Sequence, residues 1–482
     1  MLVAFILLYL AASVAVGLYA ARRVRGASDF AVAGRRFGAP IVAATVFATW
    51  FGAETVLGIP ATFMKEGLVG IVADPFAAVL CLVLVGLFFA RPLHRLGIIT
   101  LGDYFRARYD RPSEAMLSLC IAFSYFGWIA AQLVALGLAF SLLSHGAIGM
   151  PAGILAGAAI VLLYTMAGGM WSIALTDFLQ AVLIVAGMGF VAWHIVGAAG
   201  GIGPVFDAAA ASGRMKVLPE SRLEPVLAWI DAALIVALGS IPQQDVLQRI
   251  TSSRTEDVAV RATIAGGIVY FVVASVPIFL VAAATIIDAP MVGRLIESDY
   301  QRILPTLVLE RAPLAIQVLF FGALISAILS TASGALLAPS VVIAENLARP
   351  LFERVIGRPL SDRALLLTMR LTVLAVAVVV TVMALTSTRS IYQLVNESGK
   401  VVLVAAFVPL AAALYWPRAS ALGAYLAVGL GLATWLILEA FLPDAAVPPS
   451  LAGLLASILG MGAGSLLRPP SASSGTYPEL RR

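Results

Sequence analysis

The sequence predicts an all-α membrane protein with about 13 transmembrane helices, most of them arranged as two inverted repeats of five helices. Three observations support this fold class. The 482 residues are 61% apolar and only 12% charged, and the apolar residues occur in runs of about 20, the length at which a helix crosses a bilayer. Lysine and arginine are concentrated in alternate loops. Two predicted spans, five apart in order, are interrupted by glycine and proline.

The apolar runs define the predicted spans in order along the chain. The first run has no basic residue before it and is followed at once by arginines, the reverse of a signal peptide, so we expect a retained helix. The predicted spans are 2–21, 40–63, 69–90, 115–143, 149–167, 172–198, 226–247, 258–288, 313–344, 364–388, 391–416, 419–441 and 450–467.

Alternate loops differ in their content of basic residues. The loop after the first span, every second loop after it and the C-terminal segment together contain 22 of the 31 lysines and arginines, whereas the opposite loops contain 8. Basic loops stay in the cytoplasm, so we expect the N-terminus outside and the C-terminus inside, with 468–482 as a cytoplasmic tail. The net charge of +5 is spread over these loops and gives no indication of a nucleic-acid partner.

Spans 40–63 and 226–247 are the interrupted ones. The first contains the sequence TWFGAETVLGIP and the second contains LGSIPQQDVLQR. Glycine and proline break a helix and free backbone carbonyls, which a membrane protein tolerates only where they line a cavity. Because the two spans are five apart, they cross the membrane in opposite directions, the pattern of an inverted-repeat transporter whose site lies at the midplane.

The same offset sets the predicted domain organisation. We expect a single transmembrane domain over 1–482, with repeats at 40–198 and 226–416. The first span and the helices within 419–467 are expected at the periphery. Ordinary proline kinks are the alternative explanation for the two interruptions.

Two adjacent hydroxyls lie in the middle of the apolar span 313–344. On a helix, Ala327, Ser330 and Thr331 share one face, because they are spaced at i, i+3 and i+4. Hydroxyl and carbonyl oxygens can hold a small monovalent cation such as Na⁺, and the interrupted span offers free carbonyls between Ala48 and Phe51. Small and hydroxyl residues also let membrane helices pack closely, so the pattern alone leaves both interpretations open.

Five stretches resemble the sodium/solute symporter family, which includes sodium–glucose, sodium–proline and choline transporters. YTMAGGMWSIALTDFLQ and AILSTASGALLA are the most specific of them, and the order and spacing of all five along the chain fit the family. The stretches are AGRRFG (33–38), TLGDYFRARYD (100–110), YTMAGGMWSIALTDFLQ (164–180), IPQQDVLQR (241–249) and AILSTASGALLA (327–338).

The resemblance implies a LeuT-type fold and sodium-coupled import of a small organic solute by a multi-pass protein of the cell membrane. Sodium is the implied co-transported ion. By the family's motif, its ligands are the backbone carbonyls of Ala48, Phe51 and Ala327 and the hydroxyls of Ser330 and Thr331.

Ionisable residues at membrane depth are costly and therefore indicate functional sites. Asp177 resembles the family's aspartate on the sodium route; alternatively it caps a helix, with Gln180 three residues later. Lys400 is predicted to contact a carboxylate of the substrate, with pairing to Glu397 or to Glu54 as alternatives.

The predicted substrate-binding residues are aromatic, amide and charged side chains near the two interruptions. Thr49-Trp50 and the IPxQxxxQR pattern look most like the choline-transporter branch, although Gln243 replaces an aromatic residue there. An interior tryptophan can stack on a cationic substrate or simply pack. The predicted residues are Trp50, Glu54, Trp128, Gln243, Gln244 and Lys400.

Rival functions are separated by the residues that each would need. The three histidines are isolated and no catalytic motif is present, so an enzyme is not expected. A proton-coupled transporter would titrate Glu54 or Asp177, whereas hydroxyls such as Ser330 do not titrate. A transporter-like sensor is the other alternative, without its own signalling domain because the tail is only about 15 residues long. The substrate, sodium stoichiometry and oligomeric state are left open.

Overall fold

A computed structural model of the protein describes residues 1–443 and 445–470; most of the predicted cytoplasmic tail lies outside them. Within these ranges the chain is helical, and its β-type pairing is limited to an isolated bridge between Phe37 and Ser253. Ten helices in the described residues are long and apolar enough to cross a membrane, and a further pair, bent by 51°, makes up to 11. The all-α membrane class is confirmed.

In the described part of the chain, fourteen helices form the main architecture, and shorter ones connect them. They are α1 (Leu2–Ala21), α2 (Ala39–Trp50), α3 (Glu54–Gly70), α4 (Val72–Arg95), α5 (Arg111–Leu143), α6 (Met150–Ala198), α7 (Leu223–Ala237), α8 (Gln244–Ser252), α9 (Glu256–Ile287), α10 (Leu314–Ile356), α11 (Asp362–Thr386), α12 (Ile391–Tyr415), α13 (Ala421–Phe441) and α14 (Pro449–Leu467).

Both predicted interruptions are real breaks. Helix α2 ends at Trp50 and α3 begins at Glu54, and the two are bent by 51°. Helix α7 ends at Ala237, six non-helical residues follow, and α8 begins at Gln244. The breaks occur where glycine and proline remove helix-stabilising contacts, as the sequence indicates.

The predicted spans 149–167 and 172–198 form one continuous element, α6, rather than two helices joined by a loop. Its 49 residues would extend ~74 Å if straight, far more than the ~30 Å bilayer core. The backbone breaks direction at Gly169, where φ is 49° and ψ is −137°. The Cβ of any other residue at this position would lie 2.3 Å from the carbonyl oxygen of Phe30.

We therefore expect Gly169→Ala to lower the free energy of unfolding by about 2 kcal/mol or more, through left-handed backbone strain and the clash with Phe30. Gly189→Ala is the matched control in the same helix, because open space surrounds its Cβ position and alanine favours helix. Thermal unfolding of the purified protein measures both. Equal midpoints for the two variants would contradict the role of Gly169.

Helix α10 occupies the centre of the molecule. Almost every residue from Phe320 to Val342 is buried, and the helix packs against α2, α5 and α6. Helix α1 packs mainly on α6, while α13 and α14 pack chiefly on each other. The hydroxyl-bearing segment of α10 therefore faces protein on all sides, with the α2–α3 break beside it.

Candidate functional site

The break between α2 and α3 frees two backbone carbonyls. In a continuous helix the N–H groups of Gly52 and Ala53 would bond to the carbonyls of Ala48 and Thr49. Here the Gly52 N–H bonds to the Trp50 carbonyl at 3.2 Å, and the Ala53 N–H bonds to Oε1 of Gln132 at 2.9 Å. Two carbonyls in the buried interior are thus left for another partner.

Thr331 of α10 contacts these freed carbonyls. Its Oγ1 donates to the Thr49 carbonyl at 2.9 Å and lies 3.4 Å from the Ala48 carbonyl. Gly52 makes this approach possible, because a Cβ there would lie 2.8 Å from the Thr331 hydroxyl. Phe51 and Ala327 are also fully buried, Phe51 in the break and Ala327 one turn before Thr331.

Ser330 faces the neighbouring helix α6. Its hydroxyl donates to Oδ1 of Asp177 at 2.6 Å, and the second oxygen, Oδ2, is buried without a hydrogen-bond partner. Asp177 lies in the middle of α6, so the helix-cap interpretation of Asp177 and Gln180 is wrong: the i, i+3 spacing that makes a capping box also occurs within a helix. An incompletely paired carboxylate and several neutral oxygens therefore converge in one buried region, a donor set that suits a small cation.

A cavity lies beside this region, with a volume of about 60 Å³ open to the centre of a water-sized sphere. Four predicted substrate residues line it, and they are Trp50, Glu54, Trp128 and Gln243. The other lining residues are Asp74, Ile235, Val236, Ser240, Tyr392, Val395, Asn396, Ser398 and Gly399. Among these residues, all in the described part of the chain, none is lysine, arginine or histidine.

Glu54 and Asp74 are the two acidic residues of the cavity lining. Trp128 Nε1 donates to one Glu54 carboxylate oxygen at 3.1 Å, and Gln132 Nε2 donates to the other at 2.7 Å. Asp74 accepts a hydrogen bond from the Tyr270 hydroxyl. Glu54 thus has both oxygens engaged, whereas Asp74 retains capacity for a further donor.

Gln244 lies outside the cavity lining. Its side-chain amide bonds to the backbone of a connecting segment instead, accepting from the Leu101 N–H at 3.1 Å and donating to the Ile99 carbonyl at 2.8 Å. Gln243 has an extended backbone just before α8 and lines the cavity, whereas Gln244 is the first helical residue and does not.

Lys400 lies outside the lining as well. Its Nζ pairs with Glu439 of α13 at 3.2 Å, while Glu397 pairs with Arg389. The alternative pairings of Lys400 with Glu397 or Glu54 are therefore not formed. We leave Gln244 and Lys400 out of the substrate site.

Sequence reasoning missed two charged residues of this region. Arg249 was counted with the loop charges, but it lies in α8 and is only 2% exposed. Its position at the end of the motif IPQQDVLQR was the available signal. Asp74 was not among the predicted substrate residues because an aspartate before proline is typical of a helix start.

Comparisons with known proteins identify the family of this chain. A sequence model of the sodium:solute symporter family matches residues 30–431. High-affinity choline transporter 1 of Caenorhabditis elegans is 28% identical over 448 residues, which cover 88% of this chain and 75% of that protein. The sodium/sialic acid symporter NanT of Aliivibrio fischeri is 27% identical over 384 residues, covering 76% of this chain and 73% of that one.

Solved structures share the fold. A Na⁺-coupled sialic acid symporter in a substrate-bound, outward-open state aligns with a TM-score of 0.83 at 20% identity, over 98% of both chains. Mhp1, a nucleobase-cation-symport-1 family transporter, aligns with a TM-score of 0.60 at 18% identity, over 92% of this chain and 96% of that one.

Proposed function

Because the chain belongs to the sodium:solute symporter family, and is thus a sodium-coupled membrane symporter, we propose that it imports a small organic cation of the choline class together with Na⁺. The observation that carries the solute proposal is the cavity itself, which combines two carboxylates with aromatic walls and has no basic residue in its lining. A quaternary ammonium is attracted to both features.

The proposed sodium site lies between the α2–α3 break and α10. The Thr331 hydroxyl already reaches the freed carbonyl of Ala48, and Ser330 is bonded to Asp177, whose second oxygen is unpaired. We assign the Ala48, Phe51 and Ala327 carbonyls and the Ser330 and Thr331 hydroxyls as ligands. Asp177 supplies negative charge on the entry or exit route.

The proposed topology has about 13 spans. Two crossings come from α6, divided at Gly169, and one each from the broken pairs α2–α3 and α7–α8. With the first repeat at 40–198 and the second at 226–416, the two breaks occupy corresponding and inverted positions. The excess of basic residues in alternate loops favours an outside N-terminus and an inside C-terminus.

The proposed solute is choline-like rather than anionic. Trp50, Trp128 and Tyr392 line the cavity together with Glu54 and Asp74, so a cation would face π-electron-rich rings and negative charge. A carboxylate-bearing solute such as sialic acid would face like charges without a basic partner. The choline transporter relatives agree with this choice.

Uptake of radioactive choline into proteoliposomes tests the proposal. We expect an inward Na⁺ gradient to drive accumulation, and an inward proton gradient in K⁺ buffer to drive none. Unlabelled choline should compete, and unlabelled sialic acid should not. The solute proposal fails if an inward Na⁺ gradient drives no accumulation of choline, or if unlabelled sialic acid competes as well as unlabelled choline. Accumulation driven by protons alone would favour the proton-coupled alternative, and no accumulation under either gradient would favour a sensor.

A further inference from the structure

Arg249 is a fully enclosed cation that is not among the proposed sodium ligands and does not line the cavity. It lies in α8, the helix that follows the second break, and is only 2% exposed. Its Nη2 donates to the side-chain hydroxyl of Thr49 at 2.5 Å, and its Nη1 donates to the Asp245 carbonyl at 3.1 Å. Burying a charge costs free energy, so the groups that Arg249 contacts indicate the role of this side chain.

On one side, Arg249 connects to the sodium region. Thr49 is the residue whose backbone carbonyl accepts from Thr331 at 2.9 Å. The guanidinium also interacts electrostatically with the Asp177 carboxylate that bonds to Ser330. Gly334, one turn after Ser330, makes room for it, because a Cβ there would lie 2.6 Å from Nη2.

On the other side, Arg249 connects to the cavity. Asp245 accepts a hydrogen bond from the Tyr125 hydroxyl, which in turn accepts from the Asp245 N–H at 2.9 Å. The Tyr125 ring is stacked on Trp128 with their centroids 5.9 Å apart, and Trp128 lines the cavity and bonds to Glu54. Gln243, immediately before α8, also lines the cavity.

We propose that Arg249 is a positioning residue that couples the two sites: it links the cavity wall, through Asp245 and Tyr125, to the α2–α3 break at Thr49. The inference rests on the proposed sodium site. Movement of Thr331 and the Thr49 segment on sodium binding is transmitted through the guanidinium to α8, and so to the cavity. A contiguous network of hydrogen bonds with a buried charge at its centre is the physical means for such coupling.

The test measures cavity accessibility and needs no solute. Cys81 and Cys120 are the two cysteines of the chain, and replacing both by alanine leaves a background in which Ser398→Cys places one thiol in the cavity. The rate of its reaction with a methanethiosulfonate reagent is measured in NaCl and in KCl. We expect sodium to change the rate about fivefold or more, the lower end of typical coupling factors.

Two variants interrupt the link without touching the proposed sodium ligands. Thr49→Val removes the hydroxyl that accepts from Arg249 but keeps the backbone carbonyl. Arg249→Lys keeps the charge but replaces the planar fork, which donates from two separate nitrogens, with a single ammonium nitrogen. We expect the sodium response of the thiol to fall below about twofold in both, while sodium still raises the thermal midpoint. Thr45→Val is the matched control, since its hydroxyl bonds to Val42 within its own helix.

Three results would overturn the inference: an undiminished thiol response in both variants, no response in the parent despite stabilisation by sodium, or loss of sodium stabilisation in Thr49→Val. The last would place the hydroxyl in the sodium site itself. If sodium does not stabilise the parent, the proposed sodium site fails, and the inference with it. The midpoint measurement separates that case from the others.

Discussion

Replacing both Ser330 and Thr331 with alanine is expected to abolish the sodium-specific rise in the thermal unfolding midpoint and the sodium-driven uptake of solute. Both hydroxyls are fully buried, and they contact Asp177 and the carbonyls of Thr49 and Ala48. In the wild type, sodium at 100 times its dissociation constant would stabilise the folded protein by about 2.7 kcal/mol. That increment disappears when the ligands are removed.

The measurement is thermal unfolding against NaCl, with KCl at matched ionic strength, in wild type and variant. Loss of the two hydroxyls costs about 1 kcal/mol each in the absence of sodium, so the variant remains folded. Ser340→Ala is the matched control, because this buried hydroxyl of the same helix bonds only to its own helix, at the Leu336 carbonyl 2.7 Å away. A sodium response retained by the double variant would exclude the assigned site.

Replacing Asp74 with asparagine is expected to raise the KM for choline about 30- to 100-fold, with a smaller effect on the sodium concentration needed for half-maximal uptake. The carboxyl group lines the cavity and accepts a hydrogen bond from the Tyr270 hydroxyl, which leaves it capacity to contact a cation. Loss of a charge-assisted contact is worth about 2–2.7 kcal/mol, which corresponds to that change in KM.

Initial rates of choline uptake at saturating sodium provide the KM. Glu397→Gln is the control, because this carboxylate lies in α12 near the cavity but pairs with Arg389 instead of lining it. If Asp74→Asn leaves the KM unchanged, or if Glu397→Gln raises it equally, the cavity carboxylate does not select the solute.

The sequence predicted the parts of the fold that depend on local chemistry. The α2–α3 and α7–α8 breaks follow from glycine and proline within apolar runs, which requires no knowledge of tertiary contacts. The sequence predicted a loop between the spans 149–167 and 172–198. The structure has a change of direction at Gly169 within one continuous helical element instead. A glycine with positive φ can redirect a helix without interrupting its hydrogen bonding for several residues.

Side-chain partners were predicted less well, because they depend on which way each helix face points. Gln244 directly follows Gln243, but its side chain bonds to Ile99 and Leu101 instead of lining the cavity. Lys400 pairs with Glu439 of α13. The sequence spacing within α12 does not show which side chains of another helix lie next to Lys400. Arg249 follows the end of a predicted span, where arginines are usually exposed in a loop, and for this reason it was not recognised as buried.

Equilibrium binding of radioactive Na⁺ to the purified protein tests the central claim most directly, since it requires neither a solute nor a membrane gradient. The account predicts saturable binding in wild type and in Ser340→Ala, and at least a tenfold weaker affinity in Thr331→Val and in Ser330→Ala, about 1.4 kcal/mol each. Unchanged sodium affinity in both Thr331→Val and Ser330→Ala would contradict it.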